Sequence, residues 1–462
     1  MTDRQGPVGV VPRQRDTRLD VFRALALLTI FVNHVPGQYL EHLTHKNFGF
    51  SDSAEAFVLI SGMSVGLAYG ARFVVGERLA VTLRILRRAL TLYVAHIMTS
   101  IITFAIFAGG ALWFSRPDLL SEINLRAVVD RTEQGVVSMV LLGHQFGYNN
   151  ILSMYAALFL MLPGFLWLYR RSARLLLAVS GTIWLCAGIW RIAPSNFLDD
   201  GYWFLNPLSW QFLFVIGFVG VLRAKAKGFA RNPVLMVLAA AYLVVSLLWV
   251  VLSWWNIDIS YGLPAVLTGF DKTFLSISRL LHVLAGAYLV ATIPFLSNWA
   301  ALPLSHPLVA IGRHSLAVFV FGTILAMVGQ VLMFVTGKNP LFGTLYAVAG
   351  IALHFAYARY LDWQAAIISH NAKPAGPAGP AGKKPRYPKA VMSGGGVALA
   401  NVVVRQDAAC PQECGEAAVA VAEVAERAHL CDLAVIHEHD EIGLANRRQA
   451  VCDDEGRAVA AQ

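Results

Sequence analysis

Residues 15–36 read RDTRLDVFRALALLTIFVNHVP and join a charged cluster to a single histidine through an uncharged apolar run. The run from Ala24 to Val32 is about 14 Å long as an α-helix. Charged and imidazole side chains are costly inside a bilayer unless they are paired or used. The stretch therefore predicts a first membrane helix with an ionic cluster over Arg15–Arg23 at one end and His34 at the other.

The composition predicts an all-α, polytopic integral membrane protein with about ten transmembrane helices. Of the 462 residues, 57% are hydrophobic and 14% are charged, whereas soluble domains are nearer half apolar and a quarter charged. Apolar runs of about 20 residues, enough to span a bilayer as a helix, recur along the chain. The predicted spans are 19–35, 53–70, 86–112, 150–169, 174–191, 207–223, 233–254, 276–295, 307–335 and 341–361.

Basic residues predict the orientation of these helices. They cluster at 72–88, 170–174 and 223–231, in alternate connections that share a side with the N-terminus. Because Lys and Arg accumulate in cytoplasmic loops, both termini are predicted to be cytoplasmic and His34 to lie near the outer face. The same excess accounts for the formal charge of +9, so nucleic-acid binding is not expected.

The outward-facing loops carry a distinct composition. Residues 36–52, 113–149, 192–206 and 255–275 are rich in Trp, Tyr, Asn and Asp. Aromatic rings with short polar side chains suit a sugar-binding surface, but aromatic residues are also typical of the belt at a membrane–water interface. The two interpretations stay open.

The chain changes character after the last predicted span. The transmembrane domain is predicted over 1–362, followed by a Pro/Gly/Ala/Lys-rich linker over 363–390 and a low-complexity or disordered cytoplasmic tail over 391–462. The cysteines and histidines of the tail match no zinc-finger spacing. No metal site and no bound cofactor are expected.

His34, preceded by Asn33, is the first candidate for chemistry. A neutral imidazole at the membrane face can take a proton from a hydroxyl, and the alternative is a histidine that caps the helix before Pro36. Asp52 and Glu55, at the start of the second span, lie three residues apart and so on one helix face. They predict either a capping box or carboxylates that orient His34.

Two groups of residues in later spans add candidates. Arg84, Arg87 and Arg88 open the third span, and they predict either a clamp for the phosphates of a nucleotide-containing donor or a cytoplasmic anchor. Arg279 and His282 lie three residues apart in the eighth span. An arginine and a histidine on one face of a membrane helix predict a functional pair.

Two further patterns predict structural roles. Arg18, Asp20 and Arg23 form an ionic cluster that anchors the first helix, with an internal ion pair expected. In the second span, the glycines of Gly62–Gly70 repeat every four residues. Such a stripe lets another helix approach closely.

Several motifs together resemble the OpgC family, the membrane succinyltransferases of osmoregulated periplasmic glucans. They are RDxRLDxFR at 15–23, NHxP at 33–36, GFSDxxExFxxxSG at 49–62, NPxxWQ at 206–211 and GRxSLxVF at 312–319. The match runs over roughly 13–362 and is more specific in its N-terminal third. A more distant resemblance is to the acyltransferase family 3 membrane O-acyltransferases.

The resemblance implies a ten-helix acyltransferase of the bacterial inner membrane. It would move a succinyl group from cytoplasmic succinyl-CoA, its donor substrate, to glucose hydroxyls of a periplasmic glucan. The essential first-helix histidine of the wider family falls on His34, and the basic pair linked to the donor falls on Arg84, Arg87 or Arg88. The chain departs from the family in the motif before the fourth span, 152–155, and at His314, where glutamine is expected.

The remaining candidates are contacts to the acceptor, the oxyanion or the acyl carboxylate. They are Asn33, Tyr155, Trp210, Gln211, Arg279 and His282. Two other functions stay open. One is an O-acetyltransferase of another cell-envelope polysaccharide. The other is a transporter or flippase for the glucan or the acyl donor, since intramembrane His, Arg and Glu also suit proton relays.

Overall fold

The structure, a computed structural model, describes residues 16–147 and 149–371, and within them the fold is built of helices. Its α-helices are α1 (Arg18–Asn33), α2 (Ser53–Tyr69), α3 (Arg78–Trp113), α4 (Leu125–Asp130), α5 (Thr132–Val140), α6 (Asn150–Arg171), α7 (Ala173–Ile189), α8 (Pro207–Lys227), α9 (Pro233–Val251), α10 (Ala265–Thr268), α11 (Ile277–Thr292), α12 (Pro294–Trp299), α13 (Pro307–Arg313), α14 (Ser315–Val335) and α15 (Pro340–Asn371). Short 3₁₀ turns cover Tyr39–Leu43, His45–Asn47, Pro117–Asn124 and Trp254–Asn256.

The prediction of a helical membrane protein is confirmed in its general form. In the described part of the chain, six helices are long and apolar enough to cross a membrane by length and composition: α3, α6, α8, α9, α14 and α15. Three shorter apolar helices accompany them: α2, α7 and α11. Helices of 16 or 17 residues reach only about 24–26 Å against a hydrocarbon core of about 30 Å. The count of about ten spans stays a prediction.

The predicted ninth span, 307–335, is interrupted. α13 ends at Arg313 and α14 begins at Ser315, with His314 between them at φ −93° and ψ 33°. In a continuous helix, the carbonyl of Gly312 would accept a hydrogen bond from the amide four residues later. Here it accepts a hydrogen bond from Nη1 of Arg23 at 3.0 Å. The break therefore coincides with a contact to α1.

The glycine stripe of α2 contacts α8. The close approach of another helix at this stripe was predicted from the sequence. A Cβ on Gly62 would lie 2.1 Å from the carbonyl oxygen of Phe214, and one on Gly66 would lie 2.9 Å from that of Phe218. α8 reciprocates with Gly217, where a Cβ would lie 2.2 Å from the carbonyl oxygen of Leu59. The two backbones touch, so each helix fixes the position of the other.

The helix termini sort into two ends of the bundle. At the "His34 end", α1 finishes and α2, α8 and α11 begin. At the "basic end", α2 finishes and α3 begins, and Nη2 of Arg170 in the last turn of α6 donates to the carbonyls of Gly70 at 3.1 Å and Ala71 at 3.0 Å. α2 connects the two ends over 17 residues, or about 26 Å.

The domain boundaries stay predictions, although the last helix continues past the boundary predicted at 362. α15 continues to Asn371 through residues that were predicted to begin the linker, because the next proline after Pro340 is Pro374 and none intervenes to end the helix. Arg15, Tyr148, the rest of the linker and the tail with its cysteines and histidines lie outside the described residues.

Candidate active site

His34 lies immediately after α1 and is held through its backbone. Its N–H donates to the carbonyls of Ile30 and Phe31, and its carbonyl accepts a hydrogen bond from Nε2 of Gln330 in α14 at 2.9 Å. The imidazole lies in the electrostatic field of Lys272, Asp52 and Lys46. Asp52 therefore lies within electrostatic range of His34, and its predicted role in orienting the imidazole stays a prediction.

The capping prediction for Asp52 and Glu55 is confirmed. Oδ1 of Asp52 accepts a hydrogen bond from the amide of Ala54 at 2.8 Å, and Oε2 of Glu55 accepts one from the amide of Asp52 at 2.9 Å. This reciprocal arrangement satisfies two amides at the start of α2. It also leaves one oxygen of each carboxylate for other partners.

Two cations take those oxygens. Nε of Arg279 donates to Oε1 of Glu55 at 2.7 Å. Nη2 of Arg279 lies 2.6 Å from the same oxygen and 3.5 Å from Oδ2 of Asp52. Nζ of Lys272 binds the same Oδ2. We call Asp52, Glu55, Lys272 and Arg279 the charge quartet. Its side chains are 0–24% exposed, and it joins two acidic side chains to two basic ones.

The quartet keeps Asp52 ionised. Burial raises the pKa of the Asp52 carboxyl, but Lys272 and Arg279 outweigh that effect and hold the pKa well below its usual range. The charged Asp52 carboxylate favours the imidazolium that forms when His34 takes a proton, whereas the charge of Lys272 acts on the same ring in the opposite sense and more strongly.

Lys272 was missed by the sequence analysis. It is the only lysine between Lys227 and Lys338, and it lies in a loop predicted to face outward. A positive charge there runs against the positive-inside trend, which was the available signal. Its loop is fixed by two indole N–H groups: Trp210 donates to the carbonyl of Lys272 at 3.1 Å, and Trp184 donates to that of Leu275 at 2.9 Å.

His282 contacts the residue just before the quartet. Its Nδ1 lies 2.6 Å from Oγ of Ser51. A Cβ on Gly49 would lie 2.0 Å from its Nε2, so only glycine at this position leaves room for the ring. Arg279 and His282, predicted to act from one helix face, therefore meet consecutive polar residues at the start of α2.

Four other candidates have their polar atoms engaged within the fold. Oδ1 of Asn33 accepts from Thr44 at 2.7 Å, and Tyr155 donates to Oγ of Ser61 at 3.0 Å. Gln211 joins α8 to α7: its Nε2 donates to the carbonyl of Ser180 at 2.8 Å and its Oε1 accepts from that serine's hydroxyl at 2.5 Å. Trp210 uses its N–H on Lys272. Roles for these four towards an oxyanion or acceptor stay predictions.

The charged residues of α1 divide into two pairs. Asp20 and Arg23 form a part-buried ion pair at 3.2 Å, and Arg23 also donates to Oγ of Ser64. Arg18 instead pairs with Asp16 on the surface, at 2.6 Å. The predicted internal ion pair is present, and Arg23 ties α1 to α2 and α13.

The donor-binding candidates lie away from His34. Arg84, Arg87 and Arg88 occupy early turns of α3, at the basic end, and Arg84 and Arg87 are exposed. The structure therefore places the arginines and the charge quartet at opposite ends of the bundle.

Comparison with known protein families identifies a relationship for this chain. No curated protein and no solved structure matches the chain. The model of the family described as OpgC protein matches residues 15–366, which include α1–α14, most of α15 and the whole candidate site. The match covers well over half of the 462 residues, and on this ground the chain belongs to the OpgC family.

Proposed function

We propose that this chain is a membrane O-acyltransferase that moves a succinyl group from cytoplasmic succinyl-CoA to glucose hydroxyls of periplasmic glucans. Membership in the OpgC family supports an acyltransferase of this general type. The observation that carries the proposal is the charge quartet at the His34 end of the helical bundle, with Asp52 and Lys272 within electrostatic range of His34.

In this proposal His34 is the base for the acceptor. It accepts the proton of a glucose hydroxyl as that hydroxyl attacks the acyl carbonyl. The carboxylate of Asp52, held by Lys272 and Arg279, offsets part of the cost of forming the imidazolium, which Lys272 itself opposes. Arg279 and Lys272 also supply positive charge for the developing oxyanion.

The donor enters at the basic end. Arg84, Arg87 and Arg88 bind its phosphates, since guanidinium groups pair with phosphate oxygens through two parallel hydrogen bonds. The thioester then reaches through the bundle towards His34. The separation of the two ends by the length of α2, about 26 Å, fits a donor and an acceptor that arrive from opposite faces of one membrane.

The test uses purified protein in vesicles, with succinyl-CoA labelled in the succinyl group and neutral glucan as acceptor. Wild type is expected to release CoA thiol and label the glucan. His34→Ala is expected to label glucan about a hundredfold to ten-thousandfold more slowly. His42→Ala, which removes an exposed histidine in the same outward loop region, serves as the matched control and retains activity.

Three outcomes contradict the proposal. If wild type and His34→Ala label glucan equally, His34 is not the base. Preference for acetyl-CoA would point to an O-acetyltransferase. Movement of unmodified glucan or donor across the vesicle without acyl transfer would point to a transporter.

A further inference from the structure

Ser51 and His282 form a hydroxyl–imidazole pair next to the charge quartet. Oγ of Ser51 lies 2.6 Å from Nδ1 of His282, and the amide nitrogen of Ser51 lies 3.4 Å from the same Nδ1. An amide N–H only donates, so Nδ1 is the acceptor and the proton of this imidazole is on Nε2. The serine hydroxyl therefore also donates to Nδ1. This is the relation of a nucleophile to its base.

The local structure holds this pair in place. Gly49 leaves room for the imidazole, because any side chain there would overlap Nε2. The ring of Phe50 lies 6.1 Å from the imidazole, and Ser51 itself is 5% exposed. Ser51 immediately precedes Asp52, and Asp52 contacts Arg279. Arg279 lies about one helical turn before His282 in α11. A reacting carbonyl at Ser51 is thus next to the positive charges of the quartet.

We propose that Ser51 is a nucleophile that carries the acyl group as an ester, with His282 as its base. The proposal rests on the acyl transfer proposed above and divides it into two steps. It assigns His282 to the donor half of the reaction and His34 to the acceptor half.

In the first step, Oγ of Ser51 attacks the carbonyl carbon of the thioester and its proton passes to Nδ1 of His282. The carbon–sulfur bond breaks, and the departing thiolate takes that proton and leaves as a free thiol. In the second step, a glucose hydroxyl attacks the ester carbonyl while His34 takes its proton. The bond from the carbonyl carbon to Oγ breaks, and His34 returns the proton to Oγ of Ser51.

The two steps make a specific kinetic prediction. The thiol leaves before the glucan reacts, so purified protein without acceptor retains one acyl group and releases one thiol in a burst. Plots of the reciprocal initial rate against the reciprocal donor concentration, at several glucan concentrations, are expected to be parallel lines.

The experiment incubates the protein with labelled succinyl-CoA alone, quenches it with acid and locates the label by peptide mass spectrometry. Wild type is expected to carry the label on Ser51, and Ser51→Ala is expected to carry none. Ser53→Ala is the matched control: Ser53 is a buried serine two residues away whose hydroxyl has no hydrogen-bond partner among the described residues. This variant is expected to label as wild type does.

Two further variants keep the test sharp. Ser51→Cys retains a nucleophile and is expected to form a thioester that neutral hydroxylamine cleaves faster than the wild-type ester. His34→Ala is expected to accumulate labelled Ser51 without passing the label to glucan. Wild type that labels glucan but carries no label on Ser51, or Ser51→Ala that labels glucan at the wild-type rate, overturns the nucleophile and leaves the acyltransferase standing. Wild type that neither labels glucan nor releases thiol overturns the proposed function, and the nucleophile with it.

Discussion

Nε of Arg279 in α11 donates to one carboxylate oxygen of Glu55 in α2 at 2.7 Å, and Nη2 of the same guanidinium lies 2.6 Å from that oxygen. Glu55 is fully buried, and the Arg279 side chain is 13% exposed. The pair joins segments that lie 224 residues apart in the sequence. The Arg279–Glu55 pair therefore fixes α11 against α2. By doing so it also holds His282 beside Ser51.

Arg279→Leu is expected to lower the free energy of unfolding by about 3–5 kcal/mol, because it leaves the Glu55 carboxylate buried without its main counter-charge. The double variant Arg279→Leu with Glu55→Leu should recover part of that loss. The measurement is the apparent melting temperature in detergent. Arg191→Leu is the control, since it breaks a pair with Asp271 in which the arginine is 49% exposed and should cost at most about 1 kcal/mol. Equal losses for the two arginines would contradict the prediction.

Asp52 gives a pH-dependent contribution to stability. Its pKa in the folded protein lies below the ordinary value of 3.8, so its stabilising effect is fully present above that value and is lost as the pH falls towards the folded pKa. The difference in melting temperature between wild type and Asp52→Asn is expected to stay constant from about pH 8 to about pH 5 and to shrink below about pH 4. A difference that shrinks already between pH 7 and pH 5 would show that Asp52 titrates in the neutral range.

The crossing of α2 and α8 can be tested at its glycines. Gly62→Ala is expected to destabilise by about 1–3 kcal/mol, because the added methyl meets the carbonyl of Phe214. Gly220→Ala, in α8 itself, is the matched control. A Cβ there meets nothing within 4 Å, so this change should be neutral or raise stability by about 0.5–1 kcal/mol. The measurement is again the melting temperature. If Gly62→Ala leaves the melting temperature unchanged, the two helices lie further apart than the structure shows.

Lys272 is expected to matter for activity more than for folding. Lys272→Met removes one of the cations that hold Asp52, and the rate of glucan labelling should fall about a hundredfold with little change in KM for the donor. Lys272→Arg, which keeps the charge, should recover most of the rate. Lys338→Met, an exposed lysine, is the control. A change confined to the melting temperature would assign Lys272 a purely structural role.

The role of the arginines proposed to bind the donor can be tested by measuring KM for each of the two substrates. Arg87→Gln is expected to raise KM for succinyl-CoA about tenfold, the loss expected from one charge-assisted hydrogen bond, and to leave KM for glucan unchanged. Arg126→Gln removes another exposed arginine, paired with Asp130 at 3.0 Å, and should alter neither constant. An unchanged donor KM for Arg87→Gln would favour membrane anchoring as the role of this residue.

The sequence was most informative where the cause is local. The capping box needs only the spacing of Asp52 and Glu55, and the close approach of α8 follows from the glycine repeat in α2. The break at His314 is different, because the contact that accompanies it comes from Arg23, which reaches Gly312 from the other end of the chain. Nothing in the local sequence around His314 signals that contact.

The candidate active site also could not be predicted in full, because its contacts join residues that are far apart in the sequence. Lys272 lies 220 residues from Asp52, and His282 lies 231 residues from Ser51. Spacing identified Arg279 and His282 as candidates but not their partners, since which carboxylate or hydroxyl each meets is decided by the packing of α11 on α2. Ser51 was quoted only as part of a motif, and its contact with His282 is what distinguishes it from Ser53.

The bond from Arg23 to Gly312 spans 289 residues, and this has a consequence for how the protein is made. At a synthesis rate of about 5–20 residues per second, Gly312 emerges about 15–60 s after Arg23. During that interval the first helix is in the membrane without the carbonyl that later receives its arginine. The bundle can therefore close around α1 only late in biosynthesis, and a chain truncated before α13 should remain a target for the cell's quality-control proteases.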